Sequence, residues 1–283
     1  MSEPHNFEFK FSDDEFKTIV NMVFEKTGIT IQPHKKNMIY GRIVKRIRTL
    51  TLNSFAEYIK FLKSPNSGTE IIDFTNAITT NLTKFFREMH HFDHLVKKSL
   101  PEKITKNSSN RRLRIWSAGC SAGMEPYSIA MSLLRAMPNA HSWDAKILAT
   151  DIDTNMLQTG SEGIYKEEDA KGIPQEYMDK YVELFADGNS GRKNIKMSLK
   201  LQRLISFKQL NLMDRFPMKG PFDIVFCRNV VIYFNKETQK VLFDKFAEVM
   251  DIGSYLYVGH SESLHNVTDR FEIVDKTTYV RVK

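Results

Sequence analysis

The stretch Leu113–Pro138, LRIWSAGCSAGMEPYSIAMSLLRAMP, constrains the fold more than any other part of the chain. It opens with a short apolar run suited to a buried strand, then turns through small residues that include Gly119 and Gly123. A helix follows, with Pro126 in its first turn and Pro138 at its end. Strand, glycine turn and helix in that order form a unit of nucleotide-binding type. Glycine lets the backbone pass close under a ligand, and the helix start presents unpaired N–H groups. Two glycines four apart suit many cofactors, so the rest of the chain has to decide which one.

From Leu113 onward the sequence alternates strands and helices. The predicted strands are Leu113–Ala118, Ala145–Thr150, Ile205–Leu210, Phe222–Cys227, Tyr255–Gly259, Phe271–Asp275 and Thr278–Val282. Helices at Glu125–Met137, Thr154–Glu162 and Lys236–Met250 separate the early ones, which predicts a mostly parallel sheet covered on both faces. The last two strands lie too close together for a crossover and must form an antiparallel hairpin. This α/β pattern resembles the Rossmann-like fold of S-adenosylmethionine-dependent methyltransferases. The long interval between the second and third strands is predicted to hold a small β insert at about 177–200. Within that interval Tyr177–Phe185 and Lys193–Leu199, joined by Asp187–Gly191, read as a helix end and the small β insert.

The part before this reads as helical. Ser12 begins a capped helix, a second covers Lys36–Thr49, a third Ser54–Leu62, and Pro65 breaks the pattern before a helical stretch from Thr69 to Lys98. On a helical wheel the second helix puts Ile39, Ile43, Val44 and Ile47 on one side and Arg42, Lys45, Arg46 and Arg48 on the other. The window Ile31–Leu50 contains no acid, and the formal net charge of the chain is +7. That basic stripe is either a solvated face or a docking surface for an acidic helix or nucleic acid. Within Thr79–Glu88, the spacing lets Thr83 and Arg87 share a helix face, near Asn81. The polar run Pro101–Arg112 reads as a linker. The domain expectation is therefore a helical domain over 1–98, a linker over 99–112 and a catalytic domain over 113–283.

At 283 residues the chain has room for two domains. Its two cysteines, Cys120 and Cys227, lack the spacing of a disulfide framework or a zinc site, so no metal is expected. The N-terminus has no secretory pattern and no run is long enough to span a membrane, which predicts a cytoplasmic protein.

In an open α/β sheet, ligands sit beyond the carboxyl ends of the strands. The polar residues there are Gly119, Gly123 and Glu125 after the first strand, Asp151 and Asp153 after the second, and Asn211 and Asp214 after the third. Arg228, Asn229 and Tyr233 follow the fourth, and Gly259–Glu262 the fifth. Asp151 is placed either to accept from both ribose hydroxyls of an adenosine, the preferred reading, or to cap the next helix, for which Asp153 is the better candidate; Asn211 suits an adenine edge or a turn. A hydride-transfer enzyme would want a tighter glycine motif. A DNA amino-methylating enzyme would show Pro-Pro-Tyr after the fourth strand and a cytosine-methylating one Pro-Cys, whereas the chain reads CRNVVIY. What remains is methyl transfer to an acceptor that needs no activation. A glutamate carboxylate qualifies, being anionic at neutral pH, and catalysis reduces to orientation by groups such as Arg87 and Tyr233.

Six segments in order, TTNLTKFFRE (79–88), SAGCSAGMEPYSIAM (117–131), ATDID (149–153), NLMDRFP (211–217), DIVFCRNVVIYF (223–234) and GHSES (259–263), resemble the CheR family of chemotaxis receptor methyltransferases. The resemblance implies transfer of a methyl group from S-adenosylmethionine to glutamate side chains of chemoreceptor cytoplasmic helices, leaving glutamyl methyl esters and S-adenosylhomocysteine. It implies a monomer that binds no nucleic acid and inserts in no membrane. By position, Asn81, Thr83, Arg87, Gly119, Glu125, Asp151, Asn211, Leu212, Arg228 and Asn229 would contact the cofactor. Arg87 and Tyr233 would sit beside the transferred methyl, and Arg42, Lys45, Arg46 and Arg48 would read the acidic receptor. In some members the β insert also docks a receptor tail. Two positions depart from the family pattern, Leu82 and Met124, where an acid is usual. They motivate an alternative, a diverged relative that binds receptor or S-adenosylmethionine without turnover.

Overall fold

The computed structural model describes residues 8–186, 191 and 193–283. The chain divides into two compact units. One comprises the residues up to Thr80 together with Tyr233–Asn235; the other is Asn81–Ile232 with Lys236–Lys283.

The first unit is all helical: α1 (Asp13–Thr27), α2 (Lys36–Thr49), α3 (Phe55–Leu62) and α4 (Glu70–Ile78). Ser12 starts α1 in a reciprocal capping box with Glu15, and Gly28 ends it in the left-handed conformation that a side chain would resist. Ser54 caps α3 through the Glu57 N–H. The apolar faces converge on one core, in which Ile19, Ile39, Ile43, Ile47, Phe55 and Tyr58 have no measurable exposure.

The second unit opens with an irregular segment. Residues 79–88 are not helical, so Thr83 and Arg87 do not share a helix face as their spacing predicted. Threonine and asparagine side chains compete with the helix for backbone partners, and Phe86 (φ 51°) and Glu88 (φ 58°) adopt left-handed conformations. The buried rings of Phe85 and Phe86, and a 3.0 Å hydrogen bond from the Phe86 N–H to Ser128 Oγ, hold the segment. The predicted linker is also corrected. After α5 (Met89–His94), a π turn over Leu95–Ser99 leads into α6 (Leu100–Lys106). Pro101 lies in the first turn of α6, where its missing N–H is not needed, and Leu95, Leu100 and Lys103 are buried.

Strand β1 (Arg112–Ala118) follows, then α7 (Met124–Ala136), β2 (Asp144–Asp151) and α8 (Thr154–Glu162). The insert consists of β3 (Ile164–Lys166), α9 (Gln175–Tyr181), β4 (Val182–Ala186) and β5 (Lys193–Met197), forming an antiparallel sheet in the order β3-β5-β4. The sequence shows two of these strands; β3 is too short for its alternation to register. The predicted turn between them falls on 187–190, outside the described residues. The chain continues through α10 (Leu199–Gln202), β6 (Ile205–Gln209), β7 (Phe222–Cys227), α11 (Lys236–Glu248), β8 (Met250–Val258), β9 (Phe271–Asp275) and β10 (Thr278–Arg281). The main sheet has seven strands in the order β6-β2-β1-β7-β8-β10-β9, and β10 pairs antiparallel with both β8 and β9. The central parallel strands β1 and β7 are buried along most of their length, as their apolar runs require, whereas β6 at the sheet edge is largely exposed. Leu113 and Ile115 join the core formed with α7, while Trp116 packs against Phe222 and Phe246 on the other side. Strand order reverses at β1, between β2 and β7, and that switch point faces the site.

Candidate S-adenosylmethionine site

The turn after β1 is fixed by its neighbours. Gly119 has φ +80°, and a Cβ there would lie 2.4 Å from Val230 Cγ2, in the loop after β7. Gly123 has φ +86° and would place a Cβ 2.7 Å from Gly160 of α8. Both glycines are therefore demanded by conformation and by close protein neighbours. The turn is pinned to β2, because the Gly119 and Cys120 N–H groups both donate to the Thr150 carbonyl, at 2.8 and 2.9 Å.

Beyond the ends of β1 and β7 lies a network of three charged groups. Arg228, whose side chain is 2% exposed, pairs with Glu125 at 3.1 Å and with Glu88 at 3.2 Å, and also donates to the Arg87 carbonyl. Glu125 accepts a 2.7 Å hydrogen bond from Ser117 Oγ. Burial pushes the Glu125 carboxyl above its ordinary range, against the pull of Arg228 and Ser117. Burial acts the same way on Glu88, but the His260 hydrogen bond and the Arg228 guanidinium outweigh it and hold that carboxyl at about 2. Two carboxylates against one guanidinium leave the network one negative charge.

A second cluster lies at the end of β2. Asp151, 9% exposed, accepts from the N–H groups of Ser121 (2.7 Å) and Asp153 (2.9 Å), which ties the β1 turn to the β2 end. Asp153 caps α8 as expected, accepting from Asn155 and Met156, and its other oxygen takes a 2.7 Å hydrogen bond from Asn81 Nδ2. Ser121 Oγ donates to the Asn81 carbonyl. Arg87 donates to the Leu82 carbonyl at 2.9 Å, and Thr83 is partly buried in the same segment. After β6, Asn211 Oδ1 accepts from the Met213 N–H, an Asx turn, and the Leu212 carbonyl accepts from Lys245 Nζ. Asn229 (φ 58°) places its N–H on Glu262 at 2.8 Å and its side-chain amide on Glu88 at 3.4 Å.

Tyr233 falls in the helical unit, where its carbonyl accepts the Thr30 N–H at 2.8 Å. The basic quartet of α2 is largely engaged within that unit. Arg42 donates to the carbonyls of Ile78 and Thr79, Arg46 pairs with Glu70 (2.5 Å) and Asp73 (2.8 Å), and Arg48 pairs with Glu8. Lys45 is exposed, and its ammonium forms no ion pair among the described residues.

Residues 81–280 match the family described as CheR methyltransferase, SAM binding domain, and residues 14–79 match CheR methyltransferase, all-alpha domain. The chain belongs to the CheR family. It is 40% identical over 262 residues to the probable chemotaxis protein methyltransferase of Rhizobium etli, covering 91% of this chain and 96% of the relative. It is 38% identical over 278 residues to the chemotaxis protein methyltransferase of Borreliella burgdorferi, covering 97% and 96%. For the Escherichia coli protein of the same name the identity is 36% over 275 residues, covering 96% and 92%.

The larger unit of this CheR-family chain is thus a methyltransferase domain that binds S-adenosylmethionine, and its residues fit that cofactor. The net negative charge of the Glu88–Arg228–Glu125 network suits a cationic methionine portion, and the Asp151 carboxylate at the β2 end suits a ribose. Sequence reasoning missed Glu88 and Ser121 as contributors, and placed His260 and Glu262 at a strand end without giving them a role. Glu262, 4% exposed, accepts from the N–H groups of Gly259, Asn229 and Ile232 and so clips the β8 end to the β7 loop. The available signal was its place at a strand end, in GHSES. Donor atoms of Glu88, His90 and His91 lie within 4.8 Å of one another. Both oxygens of Glu88 already meet other groups, Oε2 the Arg228 guanidinium and Oε1 His260, so this group reads as part of the charge network.

His91 gives the fold a pH dependence. It is fully buried, with Nε2 2.9 Å from Thr277 Oγ1, and burial, Arg228 and His90 push its pKa from the ordinary 6.5 to about 3. Between those values the unfolded chain binds a proton that the native state refuses, so stability falls as pH falls, by about 2 kcal/mol at pH 5. Burial lowers His94 with the same sign and Glu88 stays ionised throughout this range, whereas the buried carboxyls of Glu125, Asp151 and Glu262, raised by desolvation, act with the opposite sign. Melting temperature should drop further between pH 7 and pH 5 than it does without the imidazole. His91→Gln, which keeps a donor for Thr277, should flatten that drop; an unchanged slope would assign it to other groups.

Proposed function

We propose that this protein transfers a methyl group from S-adenosylmethionine to glutamate side chains on the cytoplasmic helices of chemoreceptors, giving glutamyl methyl esters. The observation that carries this reading is the net-negative Glu88–Arg228–Glu125 network at the sheet switch point of a CheR-family chain.

S-adenosylmethionine supplies an electrophilic methyl on its sulfonium sulfur. Glu125 takes the cationic amino-acid end, Asp151 accepts from the ribose, and the β1 turn, tied down by Thr150 and Asp151, excludes water beneath them. An acceptor glutamate is already an anion at neutral pH. Its oxygen could take the methyl directly, the donor sulfur keeping the bonding electrons, so no residue of the site would have to move a proton. Arg87 is proposed to orient that carboxylate. Exposed Lys45 and the 61% exposed side chain of Arg48 are the α2 cations available to an acidic receptor helix, whereas Arg42 and Arg46 serve the helical unit itself. Among the described residues no helix is long and apolar enough to cross a membrane.

Binding without turnover loses one of its two motives. Met124 is buried in the hydrophobic core, so an acid is not missing from the site at that position; Glu125 is the side chain that meets Arg228. Incubation with methyl-labelled S-adenosylmethionine and receptor cytoplasmic fragments should label the receptor, and mild base should release the label as methanol. Base-stable label, or none, would overturn the proposal.

A further inference from the structure

Glu88 enters the site above only through the charge of its network, yet three parts of the site meet on it. Its side chain is 10% exposed. Oε1 contacts His260 Nδ1 at 2.8 Å, in the loop after β8, and accepts from Asn229 Nδ2 at 3.4 Å, in the loop after β7. Oε2 faces Arg228 at 3.2 Å and has no hydrogen-bond partner among the described residues. The residue also holds φ 58° and ψ 62°, a conformation that disfavours a side chain and persists only where the surroundings enforce it.

The consequence lies in how Arg228 is shared. One guanidinium nitrogen faces Glu125, while the other is held by Glu88 and the Arg87 carbonyl. A guanidinium released from Glu88 can turn both nitrogens onto Glu125 as a bidentate fork, the strongest pairing open to it. That fork would engage both oxygens of Glu125, Oε1 of which already accepts from Ser117, and would leave the carboxylate no acceptor position for an ammonium group. We infer that Glu88 is a positioning residue for the cofactor's amino-acid end, which acts by holding Arg228 in a one-nitrogen contact and so keeps Glu125 free to accept an ammonium group.

This inference rests on the function proposed above, and two competing ligands separate the two. S-adenosylhomocysteine carries the amino-acid end; 5′-methylthioadenosine has the same adenosine without it. Glu88→Gln keeps the shape and removes the charge. It should raise the inhibition constant of S-adenosylhomocysteine about tenfold, equivalent to one ordinary charge contact, and leave that of 5′-methylthioadenosine unchanged. An equal loss for both ligands would make Glu88 merely structural, and no loss for either would remove it from the site; each overturns the inference. Should the glutamine variant fail to fold, Glu88→Asp retains the charge one methylene short. It should show the same selective loss at smaller size, and an equal or absent loss overturns the inference again. Failure of the unaltered protein to bind S-adenosylhomocysteine would instead overturn the proposed function.

Discussion

Arg228→Ala should destabilise the protein by about 3–5 kcal/mol and abolish cofactor binding, the expected result of breaking a buried ion pair from one side. Glu88 and Glu125 are 10% and 12% exposed at their side chains, and Arg228 is the cation paired with both. Without it two carboxylates remain in a region that already pushes the Glu125 carboxyl upward. The native state would then bind protons more readily than the unfolded chain, so the deficit relative to the parent should narrow as pH falls from 7 to 5. Urea denaturation at the two pH values, with calorimetric titration of S-adenosylhomocysteine, checks both parts. Arg228→Lys keeps the charge but cannot reach both acids and the Arg87 carbonyl as a planar fork does, so it should fall between. A loss below 1 kcal/mol for the alanine variant would mean that the network is solvated.

The second large effect is expected at Asp151. Asp151→Ala should weaken S-adenosylhomocysteine and 5′-methylthioadenosine together, by about a hundredfold, since each hydrogen bond to a charged group contributes about 1.5–3 kcal/mol. Both ligands carry the ribose, so the joint loss is the signature of a ribose contact, in contrast to the selective loss at Glu88. The carboxylate also receives the Ser121 and Asp153 N–H groups, and part of the effect will come from a loosened turn. Asp151→Asn retains one acceptor oxygen and should lose less. Undiminished affinity in the alanine variant would confine Asp151 to tying the two loops together.

The order of strands and helices from β1 onward is legible because local chemistry decides it. Apolar runs make doubly covered strands, Asp153 is a good cap, and the short gap before the last strand permits only a hairpin. What escapes a linear reading depends on partners distant in the chain. The helical wheel of α2 displays four cations, but Glu70 and Asp73, which neutralise Arg46, arrive 24 and 27 residues later. Residues 79–88 carry a helical spacing, yet burying Phe85 and Phe86 and pairing Glu88 with Arg228 decide their conformation. The helix through Pro101 reads as a linker because a proline among polar residues is a break signal. Only the packing of Leu95 and Leu100 and the π turn before it show otherwise. Of the site, the carboxylates at strand ends are visible in sequence, whereas the hubs Glu88 and Glu262 emerge only once loops from different strands converge on them.

The membership of Tyr233–Asn235 in the helical unit bears on any attempt to recombine these proteins. In linear terms the chain divides once, near residue 80, and a chimera spliced there would look conservative. It would nevertheless pair one parent's Thr30 with the other parent's Tyr233 backbone, and would carry over three residues selected against helices left behind. A faithful exchange therefore needs three junctions rather than one, with the short return segment travelling alongside the helices it folds with.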